Sequence, residues 1–140
     1  MSNARSPMNA EQLAVFFKQE FPQAEVLIEQ AGGGFVRLRK PIDERHLRPG
    51  GTVSGPVMME MADAALYAAI LSELGPVALA VTTNLNINFL RKPSADKDII
   101  ADCRLIKLGK LLAIGEVTIY SVGNDEPVAH ATGTYAIPPK

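Results

Sequence analysis

Glu60, Asp63 and Tyr67 recur at i, i+3 and i+7 within the stretch SGPVMMEMADAALYAAILSELG, residues 54–75. If that stretch is helical, the spacing puts two acids and a phenol on one stripe. Gly55 precedes Asp63 by eight residues and falls at the start of the same helix. First-turn N–H groups have no partner within a helix, and the macrodipole adds about half a positive charge there. An oxyanion met by one well-aimed donor can be stabilised by about 3 kcal/mol. A nearby carboxylate could then attack a carbonyl or activate a water. The combination describes acyl transfer or hydrolysis. Gly55 is the natural donor because no side chain blocks approach to its N–H, whereas Pro56 has none; Gly55 could equally serve only to start the helix tightly. Thr82 could position water or substrate, or be an ordinary strand residue. Glu60 is a reserve base or a solvated acid. Asp63 could instead pair with Arg48 and merely fix register.

The helix itself has clear punctuation. Ser54 is a good N-cap, Pro56 suits the first turn, and Gly75 followed by Pro76 ends the run. Val57, Met58, Met61, Leu66, Ile70, Leu71 and a set of alanines leave only the acidic stripe polar. A helix apolar nearly all round is buried on nearly all sides. The other elements must supply that cover. Residues 10–21 read as a short amphipathic helix with Leu13, Phe16, Phe17 and Phe21 on one face. Residues 24–31 and 35–40 read as strands around the triplet Gly32-Gly33-Gly34, which is not a phosphate loop because a strand pattern follows it. Residues 41–53 are expected to be a loop leading into the long helix.

Strands are expected over 77–90, 97–108, 111–122 and 127–137, joined by hairpin-length turns that require antiparallel neighbours. In the first of these, Val81, Thr83, Leu85, Ile87 and Phe89 should face the helix, and Thr82, Asn84, Asn86 and Asn88 should face away. Ala129, Ala131 and Gly133 would let the helix lie close to the last strand. His130 reads as a packed histidine. The expected class is α+β, a curved antiparallel sheet around one long helix. One sheet cannot cover a helix on all sides, so a second copy of the chain is the most economical partner.

The 140 residues fit one domain, with 47% hydrophobic and 21% charged residues. A net charge of −1 gives no reason to expect nucleic acid. Cys103 stands alone, so no disulfide or multi-cysteine metal set is expected, and no metal motif appears. The first residues have no apolar core of a secretory signal, and the long helix is too short and too charged to span a bilayer. A cytoplasmic protein is expected. Residues 1–8 are expected to be disordered or an added leader, with Met8 as the natural start.

At RPGGTVSGPVMMEMAD the chain resembles the hotdog-fold acyl-CoA thioesterases, in the branch that includes the phenylacetate-pathway thioesterase. That family shows Asn, two residues, Gly, two residues, then His-Gly-Gly, with an acid seven residues after the second Gly. Gly51, Gly55 and Asp63 match that spacing. Arg48 stands at the Asn position, Ser54 at the His and Pro56 at the second Gly. TTNLNINFLRKP (82–93), Gly109-Lys110 and PVAHATGTYAI (127–137) are similar to further family segments. The resemblance implies a sheet of about six strands wrapped around the helix, a homodimer whose sheets join and which often pairs into a tetramer, and active sites shared between protomers. It implies hydrolysis of an acyl-CoA thioester with no cofactor. Asp63 would be the general base or nucleophile, the Gly55 N–H the oxyanion donor, and Thr82 the hydroxyl that positions water. Arg48, Ser54, Glu60 and Tyr67 would line the substrate site, and Arg91, Lys92, Lys107 and Lys110 would meet the CoA phosphates. The alternative is a hotdog protein that binds acyl-CoA or a similar small ligand without cleaving it.

Overall fold

The computed structural model describes residues 7–77 and 79–139. The elements run α1 (Ala10–Glu20), β1 (Leu27–Gly32), β2 (Phe35–Lys40), β3 (Leu47–Arg48), β4 (Thr52–Val53), α2 (Gly55–Leu74), β5 (Val81–Phe89), β6 (Ile99–Leu108), β7 (Leu112–Ser121) and β8 (Ala129–Ala136). The six long strands form one antiparallel sheet in the order β1-β2-β6-β7-β8-β5, packed on α2. This is the α+β hotdog architecture that the resemblance implied. Of the expected leader, residues 1–6 lie outside the described residues. Met8 donates its N–H to the Ser72 carbonyl at 3.1 Å.

α2 starts and stops where local chemistry dictates. The Ser54 Oγ accepts from the Val57 N–H at 3.4 Å. Gly75 takes φ +89°, a region closed to most side chains, while its N–H reaches the Leu71 carbonyl at 2.9 Å. From Met61 to Ser72 every residue except Asp63 is buried. The sheet can approach this closely because two glycines face each other across β7 and β8, Gly115 opposite Gly133. A Cβ on Gly133 would lie 2.4 Å from Leu66 Cδ1, and one on Gly115 would lie 2.8 Å from Leu66 Cδ2. The forked end of Leu66 thus occupies the pit that the two missing side chains leave.

α1 closes the open side of the core. Asn9 and Gln12 form a reciprocal capping box, each side chain bonded to the other's N–H at 2.9 Å. Leu13 and Phe17 are buried. The rings of Phe16, Phe17 and Phe21 surround Tyr67 of α2, with centroids 5.9–6.2 Å away.

Four sequence expectations need correction. The strand expected from residue 24 begins at Leu27, because Pro22–Ala24 form a 3-10 turn and Glu25 takes φ +49°. The expected loop 41–53 contains a 3-10 turn at Glu44–His46, capped by Asp43, and the two-residue hairpin β3–β4. The strand expected from residue 77 starts at Val81. Its faces also change phase. The β5–β8 register slips between Thr82 and Asn84, so Thr82 opposes Tyr135 while Leu85 opposes Gly133. Thr83 is the extra residue of a β-bulge, and a bulge shifts the side-chain alternation by one. Thr82 therefore joins Leu85 and Ile87 on the helix side, and Thr83 leaves it, its hydroxyl donating to the Thr134 carbonyl at 3.3 Å.

Candidate active site

Asp63 is the break in the buried run of α2, and two strands converge on it. The Thr82 hydroxyl, on β5, donates to Asp63 Oδ1 at 2.6 Å. The Tyr135 hydroxyl, on β8, donates to the same Oδ1 at 2.8 Å and lies 3.2 Å from the Asp63 backbone carbonyl. The Thr82 bond depends on the bulge, which turns Thr82 inward opposite Tyr135; Tyr135 faces α2 through the unbroken alternation of β8. No donor among the described residues reaches Oδ2. Burial, reinforced by the Asp63 charge, pushes the Tyr135 phenol well above the ordinary tyrosine range, so it keeps its proton and remains a donor. The Tyr135 ring stacks on Tyr67 at 6.0 Å, which ties the acid to the aromatic cluster under α1.

Tyr135 was missed in the sequence. One signal was available: it continues the parity of Ala129, Ala131 and Gly133, the face turned to α2. Thr82 was found as a candidate but placed on the wrong face.

Gly55 opens the helix with its N–H free of any partner among the described residues. Val57 N–H is taken by Ser54 Oγ, and Met58 N–H by the Ser54 carbonyl at 3.3 Å. The ring of Phe89, half exposed, lies beside Gly55; a Cβ there would be 3.3 Å from its Cζ. The segment before Gly55 is pinned rather than loose: Ser54 N–H donates to the His46 carbonyl at 2.9 Å, and His46 Nδ1 accepts from the Asp43 N–H at 2.9 Å. The Arg45 guanidinium beside Asp43 holds that carboxyl at about 2, below the usual carboxylate range.

The other expected residues scatter around these two points. Arg48, on β3, is exposed and makes no ion pair with Asp63, so the structure does not show the register-fixing pair. Ser54 caps the helix. Glu60 is exposed, one turn before Asp63. Tyr67, one turn after it, is buried among aromatic rings rather than lining an open surface. Arg91 binds Glu126 at 2.8 Å and the Pro127 carbonyl at 2.8 Å. Lys92, Lys107 and Lys110 are exposed.

These four basic residues do not converge within one chain. Arg91 and Lys92 follow the Phe89 end of β5, whereas Lys107 reaches the Val81 end through the pairs Lys107–Ile114, Ile114–Thr134 and Thr134–Asn84. A nine-residue strand separates the ends by about 30 Å. His130 faces the outer side of the sheet, where Nε2 lies 3.2 Å from Glu116. Among the described residues no group of side chains has metal-site geometry, and no helix is long and apolar enough to cross a membrane.

Comparison with known proteins gives the family. The thioesterase superfamily profile matches residues 50–128. A candidate thioesterase from Silicibacter sp. TM1040, a crystal structure, is 45% identical with a TM-score of 0.88, over 94% of this chain and 93% of that one. A candidate esterase of Saccharolobus solfataricus is 30% identical over 98% of this chain and 85% of its own length. More distant solved structures share the fold. The E. coli PaaI protein of the phenylacetic acid degradation operon is 22% identical, TM-score 0.79, over 92% of this chain and 93% of that one. A hypothetical thioesterase protein of Streptococcus pneumoniae, solved with coenzyme A, is 18% identical, TM-score 0.76, over 93% and 97%. With more than half its length inside the family profile, the chain belongs to the thioesterase superfamily.

Proposed function

We propose that the protein hydrolyses an acyl-CoA thioester to the free acid and CoA. The observation that carries this reading is the half-held carboxylate: Asp63 is fixed through Oδ1 by two hydroxyls, and no described residue donates to Oδ2. In this reading Asp63 activates water against the thioester carbonyl, and Thr82 holds both the acid and the water. The Gly55 N–H meets the developing oxyanion at the positive end of α2. The coenzyme A bound to the S. pneumoniae protein supports CoA as the carrier.

The spacing along the helix supports a site shared between two protomers. Gly55 and Asp63 are eight residues apart on one straight helix, about 12 Å. That is too far for one carbonyl to contact both a base-bound water and a backbone donor. β5 is an edge strand with Val81 and Phe89 more than half or half exposed, 56% and 50%. Antiparallel pairing of β5 with its copy about a two-fold axis would cover that edge. It would also set the Phe89 end of one protomer, with Gly55, against the Thr82 end of the other, with Asp63. The same operation would bring Arg91 and Lys92 of one chain toward Lys107 and Lys110 of the other, a basic rim for the CoA phosphates. Arg48, Ser54 and Glu60 would flank the substrate, and Tyr67 would back the acyl pocket from below. Pairing of such dimers into a tetramer follows the family resemblance.

The test is thiol release from short, medium, long and aryl acyl-CoAs, with Asp63→Asn beside the parent and the oligomeric state measured by light scattering. Hydrolysis that depends on Asp63, in a dimer or tetramer, is the expected result. Turnover unchanged in Asp63→Asn would end the assignment. Tight binding of acyl-CoA with no turnover across the panel would make the protein a binding module instead.

A further inference from the structure

Two hydroxyls on one carboxylate oxygen, with none among the described residues on the other, is an unusual way to hold a partly buried acid. A purely structural aspartate gains most when donors are spread over both oxygens, since each has two acceptor sites. Here Thr82 and Tyr135 come from different strands and both choose Oδ1. The Tyr135 hydroxyl has a single proton, and its shorter contact is to the carboxylate rather than to the backbone carbonyl 3.2 Å away. The ring behind it is fixed by stacking on Tyr67 and by 3% exposure. Rotating the Asp63 carboxylate would break both bonds together. Its orientation is thereby set from β8 as well as β5.

We infer that Tyr135 is the positioning residue of the Asp63 base, holding Oδ1 so that Oδ2 is the oxygen presented to the attacking water. This rests on the thioesterase reading above. In the step it serves, the water oxygen bonds to the thioester carbon as one water proton passes to Asp63 Oδ2. The carbonyl electron pair moves onto oxygen. Collapse of the tetrahedral species breaks the C–S bond, and the proton on Oδ2 goes to the departing CoA sulfur. Asp63 ends as it began. Tyr135 keeps its proton throughout and touches neither water nor thioester. The titratable groups near the acid are Tyr135 from β8 and Tyr67 from α2, with Glu20 of α1 acting on Tyr67; Thr82 of β5 contributes a neutral hydroxyl.

The deciding experiment compares the parent with Tyr135→Phe, which keeps the stacked ring and removes the donor, and with Thr82→Val. Two readouts are taken at one fixed pH: kcat and KM on the acyl-CoA the parent cleaves best, and the 13C resonance of the Asp63 carboxyl carbon, assigned by its loss in Asp63→Asn. Tyr135→Phe should melt within a few degrees of the parent, lose about tenfold in kcat with KM unchanged, and move the carboxyl resonance. Thr82→Val should move that resonance too, because each hydroxyl contributes separately. An unmoved resonance in Tyr135→Phe, or an unchanged kcat, overturns the inference. So does a loss of kcat matched by a fall in the folded fraction. If the parent cleaves no acyl-CoA, the thioesterase reading fails; the carboxyl resonance then still decides whether Tyr135 holds Asp63.

Discussion

The two ends of the first half of α2 carry the candidate chemistry, and they are built in opposite ways. At Gly55 the proposed active group is backbone. Its position follows from a cap, a proline and a pinned segment within about a dozen residues of chain, and helix geometry leaves the donor without a partner among the described residues. At Asp63 the proposed active group is a side chain. Its orientation depends on Thr82 and Tyr135, 19 and 72 residues away in sequence. The first end tolerates any change that keeps the helix start and adds no bulk. The second depends on sheet register, since losing the bulge would turn Thr82 away from the acid.

That contrast can be broken from either side. Asp63→Asn should leave the fold intact, because the amide carbonyl can still accept from both hydroxyls. It should lower thiol release about 10²–10⁴-fold, the usual contribution of a positioned base. Gly55→Ala keeps the N–H but sets a Cβ 3.3 Å from the half-exposed Phe89 ring. A ring that can shift toward solvent costs little stability, so the melting temperature should barely move. Turnover should fall about tenfold as the ring moves over the oxyanion position. A large loss of stability would show that the helix start is packed more tightly than its exposure implies.

Gly133→Ala tests the sheet beneath the acid rather than the acid itself. Leu66 is fully buried in the pit it shares with Gly115, and the Asn84 carbonyl and Leu85 stand 3.3 and 3.2 Å from the new methyl. Denaturant unfolding should show a loss of about 1–3 kcal/mol, the range for overpacking. The smallest effect concerns the segment before Gly55. The Asp43 carboxyl is lowered from 3.8 to about 2 by Arg45. A depressed folded value means its contribution is complete above about pH 4 and is lost as pH falls through about 2. Arg45→Ala should lower stability slightly near neutrality, and the difference from the parent should close as pH falls through about 2; Asp43 is exposed, so the effect should be small.

Local signals carried much of the fold. Ser54, Pro56 and Gly75 mark α2 because capping and left-handed backbone are decided by neighbours in sequence. The hairpin-length turns mark antiparallel strands for the same reason. The β3–β4 hairpin escaped notice because two-residue strands leave no period to detect. The start of β5 was misplaced because Val77, Leu79 and Ala80 are apolar enough to extend the pattern without joining the sheet. Asp63 stood out as the acid on an apolar helix, and Gly55 as the residue free to donate. Lys107 and Arg91 looked alike as candidate CoA contacts, yet only their places at opposite ends of the sheet show that one chain cannot bring them together.

What the sequence determined by itself was the helix, its caps, the strand content and the presence of an acid on that apolar helix, all properties set by short-range geometry and by the solvation of side chains. Tertiary structure decided which hydroxyls the acid meets. A bulge of one residue reverses a strand's faces without leaving a mark in its composition. A phenol 72 residues away becomes a partner only when β8 is laid beside β5 under α2. Contacts of that kind depend on register, and register is chosen by the packing of the whole sheet.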